Sequence, residues 1–246
     1  MDMAGTLYVV STPIGNLKDI TLRAIEILKS ADIIAAEDTR HTKILTNHYD
    51  IKTPLTSYFE HNKITKGDYI IKMLKEGKSV ALVSDAGTPG ISDPGAHIIK
   101  LAIENDVKVE QIPGPSALIA GLVSSGMPTG RFIFEGFLPS KPGARKNRLR
   151  EFLDERRTII FYESPHRLIK TLTDILEIFG DIRVACLREL TKKFEEIRRQ
   201  KVSELIGHFM KNKPLGEFVI VIASERSERS NLKKEIASSP LRGSSQ

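Results

Sequence analysis

A single cysteine, Cys186, stands among 246 residues. One thiol cannot build a disulfide framework, and a thiolate zinc cluster needs several Cys and His at short spacing, whereas the six His here are scattered. Cysteine poverty points to a reducing compartment. Long apolar runs are also missing: none approaches the ~20 residues needed to span a bilayer. The opening MDMAGTLYVV carries an acid and no basic n-region, so a cytoplasmic protein is expected. GxxxxGK[ST] and GxGxxG do not occur, which removes the phosphate loops of P-loop nucleotidases and of ordinary dinucleotide-binding Rossmann enzymes. HExxH and GxSxG do not occur either, so metal and acyl-transfer chemistry lose their usual carriers. Cys186 itself sits between Ala185 and Leu187, the setting of a buried, inert thiol.

What is there is globular: 40% hydrophobic and 28% charged residues, at a length that suits one large domain or two modest ones. The net charge of +6 is unevenly spread. Residues 1–128 hold 13 basic and 15 acidic side chains, and residues 129–246 hold 24 and 16. The second half is therefore the half expected to face a polyanion.

Short β-branched runs alternate with amphipathic stretches, the pattern of parallel βαβ architecture. Strands are predicted at 6–11, 33–36, 55–59, 79–84 and 108–112, with helices at 20–30 behind an Asp19 cap, 63–76, and 94–104 behind an Asp93 cap. The small, turn-rich segment 124–130 marks a domain boundary, giving an N-terminal α/β domain over 1–126 and a basic C-terminal α/β domain over 127–224. In the second domain, strands are predicted at 132–137, 158–162, 182–187 and 217–223, and helices at 144–155, 165–179 and 203–211. The polar, Ser-rich stretch 225–246 is predicted to be a disordered tail.

Gly/Pro-rich loops follow the first, fourth and fifth predicted strands, at the strand ends where open α/β sheets bind ligands. They read STPIGN (11–16), SDAGTPGISDPG (84–95) and PGPSA (113–117). Any one could be a turn; the second is the strongest signal, because so little side-chain bulk lets backbone approach a flat ligand and Asp85 can accept from a hydroxyl or amine. Asp93 and Ser116 are most simply helix caps. Polar clusters follow at Glu37–His41, Glu60–Asn62 and Tyr162–Arg167. Each is readable as a solvated loop with a cap or as one wall of a cleft.

These loops, in this order, together with YESPHR, RELTKKFEE and GEFVIVI, resemble the tetrapyrrole methylase superfamily of S-adenosylmethionine (SAM) enzymes over residues 5 to about 223. Relatives acting on corrinoids or diphthine precursors usually carry a GxGxG-like first loop and GDP where this chain has SDAG. TPIGN and SDAGTPG make it look like the branch that methylates small-subunit ribosomal RNA. The resemblance implies two α/β domains with SAM in the cleft between them, a homodimer, and methyl transfer to the ribose 2′-oxygen of a cytidine in the decoding region of 16S rRNA. Carried over, the SAM contacts fall on Pro13, Gly15, Asp85, Ala86, Gly87, Thr88, Ile91, Ser92, Ser116, Ala117, Tyr162, Leu215 and Gly216.

In-line methyl transfer needs positioning and a water-poor cleft rather than a metal. A ribose hydroxyl also needs a proton acceptor, for which Glu37, Asp38, His61, Glu163 and His166 are candidates without rank. Arg40 and Arg167 could touch RNA or pair with these acids. The stretch 141–150 holds five basic residues and no acid, and helical spacing of Leu149, Phe152 and Leu153 leaves Arg145, Lys146 and Arg148 expected to reach outward to phosphates. The rival readings are a methylase of a small tetrapyrrole or a protein side chain, and a non-catalytic ribosome-assembly factor on the same fold.

Overall fold

The computed structural model describes residues 5–223, so the tail predicted at 225–246 lies outside the described residues. The chain divides into two compact units, Met1–Ala117 and Leu118–Gln246. The division falls before the turn-rich 124–130 segment because helix α5 (Ala117–Ser125) packs on the second sheet. A Cβ added at its Gly121 would lie 2.7 Å from Val219 Cγ1, and Arg199 donates to the carbonyls of Ser124 and Ser125 at its C-terminus. The composition of the linker is visible in sequence; the docking of the helix before it is not.

In the first unit, β1 (Thr6–Val10), β2 (Ile33–Ala36), β3 (Leu55–Ser57), β4 (Val80–Val83) and β5 (Lys108–Ile112) form a parallel sheet in the order β3-β2-β4-β1-β5. A parallel sheet must be covered on both faces. Helices α1 (Leu22–Ser30) and α2 (Thr39–His48) bury Ala24, Leu28 and Leu45 on one face. Helices α3 (Lys63–Lys75) and α4 (Gly95–Glu104) bury Ile70, Leu74, Ile98 and Ala102 on the other. The cap of α1 is Thr21, whose hydroxyl accepts from Ala24 N, while the expected cap Asp19 lies in a preceding 3-10 turn. Helix α2 went unpredicted because its ten residues, TRHTKILTNH, offer only Ile44 and Leu45 as an apolar signal.

The second unit departs from the all-parallel expectation. Its strands β6 (Phe132–Phe137), β7 (Thr158–Glu163), β8 (Arg183–Arg188), β9 (Glu196–Lys201) and β10 (Phe218–Ile222) take the order β6-β7-β10-β8-β9. Only β6 and β7 pair in parallel; β10 runs antiparallel to β7 and β8, and β9 antiparallel to β8. Strand β9, EIRRQK, carries almost no apolar alternation and lies outside the predicted strands; its partner β8 supplies the pairing that its side chains do not advertise. Helices α6 (Pro142–Arg150), α7 (Leu168–Phe179) and α8 (Val202–Lys211) cover one sheet face through Leu149, Leu172, Ile175, Leu205 and Phe209. Cys186 is buried in that core, as the sequence indicates, and burial pushes its thiol well above its ordinary value.

Candidate active site

The three Gly/Pro loops of the first unit are tied into one surface at the carboxyl ends of β4, β1 and β5. Thr12 and Gly87 form an isolated antiparallel bridge, with Thr12 N donating to Gly87 O at 2.9 Å and Gly87 N to Thr12 O at 3.0 Å. The Ser11 and Thr88 hydroxyls are 2.9 Å apart, and Thr88 Oγ1 donates to Pro115 O at 3.2 Å. Gly87 adopts φ +81°, open to glycine and strained for other residues, with Ile14 packed where a side chain would begin. Gly114 lies so close to Ser11 that a Cβ would be 3.0 Å from Ser11 Cβ. Small residues here are thus required by the approach of one loop to the next.

Beyond this knot the loops present Pro13, Gly15, Asp85, Ala86, Ile91, Ser92, Ser116 and Ala117, all exposed or half-buried. Ser92 holds a left-handed φ of +66°. Asp93 acts as a clasp rather than a simple cap: its carboxylate accepts from Gly90 N at 2.9 Å and Gly95 N at 2.7 Å, fixing the loop to the start of α4. The surface offers backbone, small apolar groups and one strand-end carboxylate, which suits a flat ligand bearing hydroxyl and amino groups.

Next to it stands the end of β2. Asp85 N donates to Glu37 Oε2 at 3.3 Å, and Asp38 N donates to Asp85 Oδ1 at 2.9 Å, so the β2 and β4 ends hold each other reciprocally. Partial burial raises the Glu37 carboxyl above its ordinary value, the Asp85 amide opposing, with the Asp85 and Asp93 charges adding to the rise. Asp38 is spoken for. It caps α2 by accepting from Arg40 N at 2.8 Å and pairs with the Arg40 guanidinium, which holds its carboxyl far below the usual range. His61 is exposed in the turn after β3, edge-on to Phe59 at 6.2 Å.

The second unit holds the remaining candidates. Glu163 is buried and fully engaged, accepting from Ser164 N at 2.7 Å, Arg167 Nε at 2.8 Å and Thr171 Oγ1 at 2.6 Å. That arrangement makes Glu163 and Arg167 the fastening of the turn before α7, and neither is a free acid or a free cation. His166 is exposed on the same turn. Tyr162 packs edge-on to Phe134 and Phe137, and burial lifts its hydroxyl to about 12. Leu215 is exposed, and Gly216 takes φ +83° against the Glu189 side chain, which accepts from Glu217 N at 3.0 Å.

The basic stretch must be corrected. Arg145 is only 3% exposed, and its Nε donates to Asp174 at 2.6 Å. Lys146 pairs with Glu177 at 2.5 Å, and Arg148 with Glu135 at 2.5 Å and with Glu151. Acids on α7 and β6, distant in sequence, together with Glu151, pair three of the five cations of a run that looks free when read alone, and leave Lys141 and Arg150 exposed.

Among the described residues no group of three or more His, Cys, Asp or Glu could hold a metal ion, and no helix is long and apolar enough to cross a membrane. The family model for Tetrapyrrole (Corrin/Porphyrin) Methylases matches residues 6–206. The chain is 50% identical over 221 residues to the Ribosomal RNA small subunit methyltransferase I of Thermotoga maritima, covering 90% of this chain and 99% of that one. It is 47% identical to the protein of that name from Synechocystis sp., covering 97% and 88%. Among solved structures, uroporphyrin-III-C-methyltransferase from Thermus thermophilus superposes with a TM-score of 0.64 at 20% identity over 94% of this chain and 98% of that one, a likeness of fold.

Proposed function

The chain belongs to the tetrapyrrole (corrin/porphyrin) methylases and is a ribosomal RNA small-subunit methyltransferase; from that premise we propose that it transfers the methyl group of SAM to the ribose 2′-oxygen of a cytidine in the decoding region of 16S rRNA. The observation that carries the reading is the knot of three Gly/Pro loops beside the Glu37–Asp85 contact. Pro13, Gly15, Asp85 to Thr88, Ile91, Ser92, Ser116 and Ala117 would hold the donor. Asp85 is placed to accept from a hydroxyl or the amino group, while Ala86 and Ile91 keep water from a sulfonium whose charge disappears in the transition state.

Of the proton-acceptor candidates, the geometry favours Glu37. Asp38 and Glu163 have their oxygens committed to capping and ion pairs. A carboxyl raised above its ordinary value is also the better base near neutral pH. In the step, the ribose oxygen forms its bond to the methyl carbon, the carbon–sulfur bond breaks with its electron pair going to sulfur, and the hydroxyl proton passes to the Glu37 carboxylate. S-adenosylhomocysteine and the methylated ribose leave, and Glu37 releases its proton to solvent. The chain's main contribution is alignment, worth up to roughly 7 to 11 kcal/mol at the ideal limit.

The rival substrates, a tetrapyrrole or a protein side chain, are disfavoured by relatives of about half identity that carry the ribosomal RNA name. Radiolabelled methyl transfer from SAM to small subunits, naked 16S rRNA and uroporphyrinogen, run in parallel, tests the proposal. Label is expected in the RNA alone, on a ribose oxygen. Label on the tetrapyrrole, or on an RNA base, would overturn it.

A further inference from the structure

With Arg145, Lys146, Arg148 and Arg167 committed to ion pairs, the basic excess of the second half rests on other side chains, and one edge of the second sheet gathers four of them. Ile159 and Val184 both pair with Ile222, and Phe132 pairs with Thr158, Arg183 with Lys201. These last two pairs therefore lie on the same margin, one residue outward from the Ile159–Ile222–Val184 row. Arg131 and Arg156 adjoin it through the residues that open β6 and β7.

Arg131, Arg156, Arg183 and Lys201 are exposed and make no ion pair among the described residues. Arg131, Phe132, Arg156 and Arg157 line an open depression of about 780 Å³ together with Asp154 and Glu155. Glu155 is already engaged, pairing with Arg157 at 2.8 Å and accepting from the Arg156 and Arg157 amides. Arg183 and Lys201 face each other directly across the β8–β9 ladder. Like charges so placed destabilise a sheet, and an anion lying over both relieves the cost. Four strand spacings separate β6 from β9, so the row spans about 19 Å, long enough to meet more than one phosphate. Phe132, 38% exposed at the same margin, adds a face on which a base can stack.

We propose that this margin is a second RNA-binding surface. Its cations grip phosphates of a single-stranded segment flanking the methylated nucleotide, and Phe132 stacks on one of its bases. Tyr162 stands at the other end of β7, about 13 Å away along the strand, so within the second unit the surface is separate from that residue. The inference rests on the ribosomal RNA reading above.

The test uses the full chain and small subunits or naked 16S rRNA across a salt series. The triple variant Arg131→Gln, Arg183→Gln, Lys201→Gln is expected to lose at least tenfold in affinity at low salt. Its plot of log affinity against log salt should flatten by about 2 to 3, at roughly 0.7 to 0.9 per lost phosphate contact. Lys201→Gln alone should flatten it by one such step. Phe132→Ala should weaken binding about tenfold with the slope kept, since stacking carries no counterion release. SAM-induced stabilisation should be unchanged in all three. An unaltered slope and affinity in the triple variant, with wild type methylating normally, overturns the surface alone. A wild type that methylates no RNA overturns the reading on which it rests.

Discussion

Gly87 shows how a single residue can bind the three-loop surface together. Its left-handed φ and its two hydrogen bonds to Thr12 make it the joint between the first and second loops. Gly87→Val would strain the backbone and press on Ile14, so the thermal shift produced by SAM is expected to vanish while the rest of the first unit stays folded. Glu37 is informative in a different way. Its carboxyl is raised by burial, so the folded chain holds that proton more tightly than the unfolded one. Its stabilising effect is present below the ordinary carboxylate value and is lost as pH rises through the raised folded value. Glu37→Gln should therefore gain stability relative to wild type as pH rises from about 4 to 7, measured by urea midpoints. The same variant should lose kcat with little change in SAM affinity and lose the acid limb of the rate profile. An unchanged acid limb would remove Glu37 as the proton acceptor.

At the scale of elements, α6 and α7 are joined by the buried Arg145–Asp174 pair, backed by Lys146 at 3.8 Å from Asp174. Breaking such a pair from one side strands a charge. Arg145→Leu is expected to cost about 3 to 5 kcal/mol in chemical denaturation, and Arg145→Leu with Asp174→Leu should recover most of it. If Arg145 instead faced phosphates, the single replacement would leave stability unchanged. Helix α5 meets its sheet at Gly121, where even a methyl group collides with Val219. Gly121→Ala should destabilise the second unit by about 1 to 3 kcal/mol despite its better helix propensity, because overpacking outweighs propensity there.

For the whole molecule, SAM or S-adenosylhomocysteine should raise the melting temperature, since ligand at about 100 times its Kd adds about 2.7 kcal/mol. No shift at millimolar ligand would end the methyltransferase reading.

The repeated βα order, six loops at strand ends and the identity of the Gly/Pro motifs could be read directly from the residues, because periodicity and glycine chemistry are local. Strands 33–36, 108–112 and 132–137 match the structure for that reason. The polar helix α2 and the charged strand β9 could not be read, since neighbours supply their stability. The same holds for charge. Only the fold brings Asp174, Glu177 and Glu135 against the 141–150 stretch and leaves Arg183 and Lys201 side by side, since an ion pair depends on distance in space and a sequence records distance along the chain.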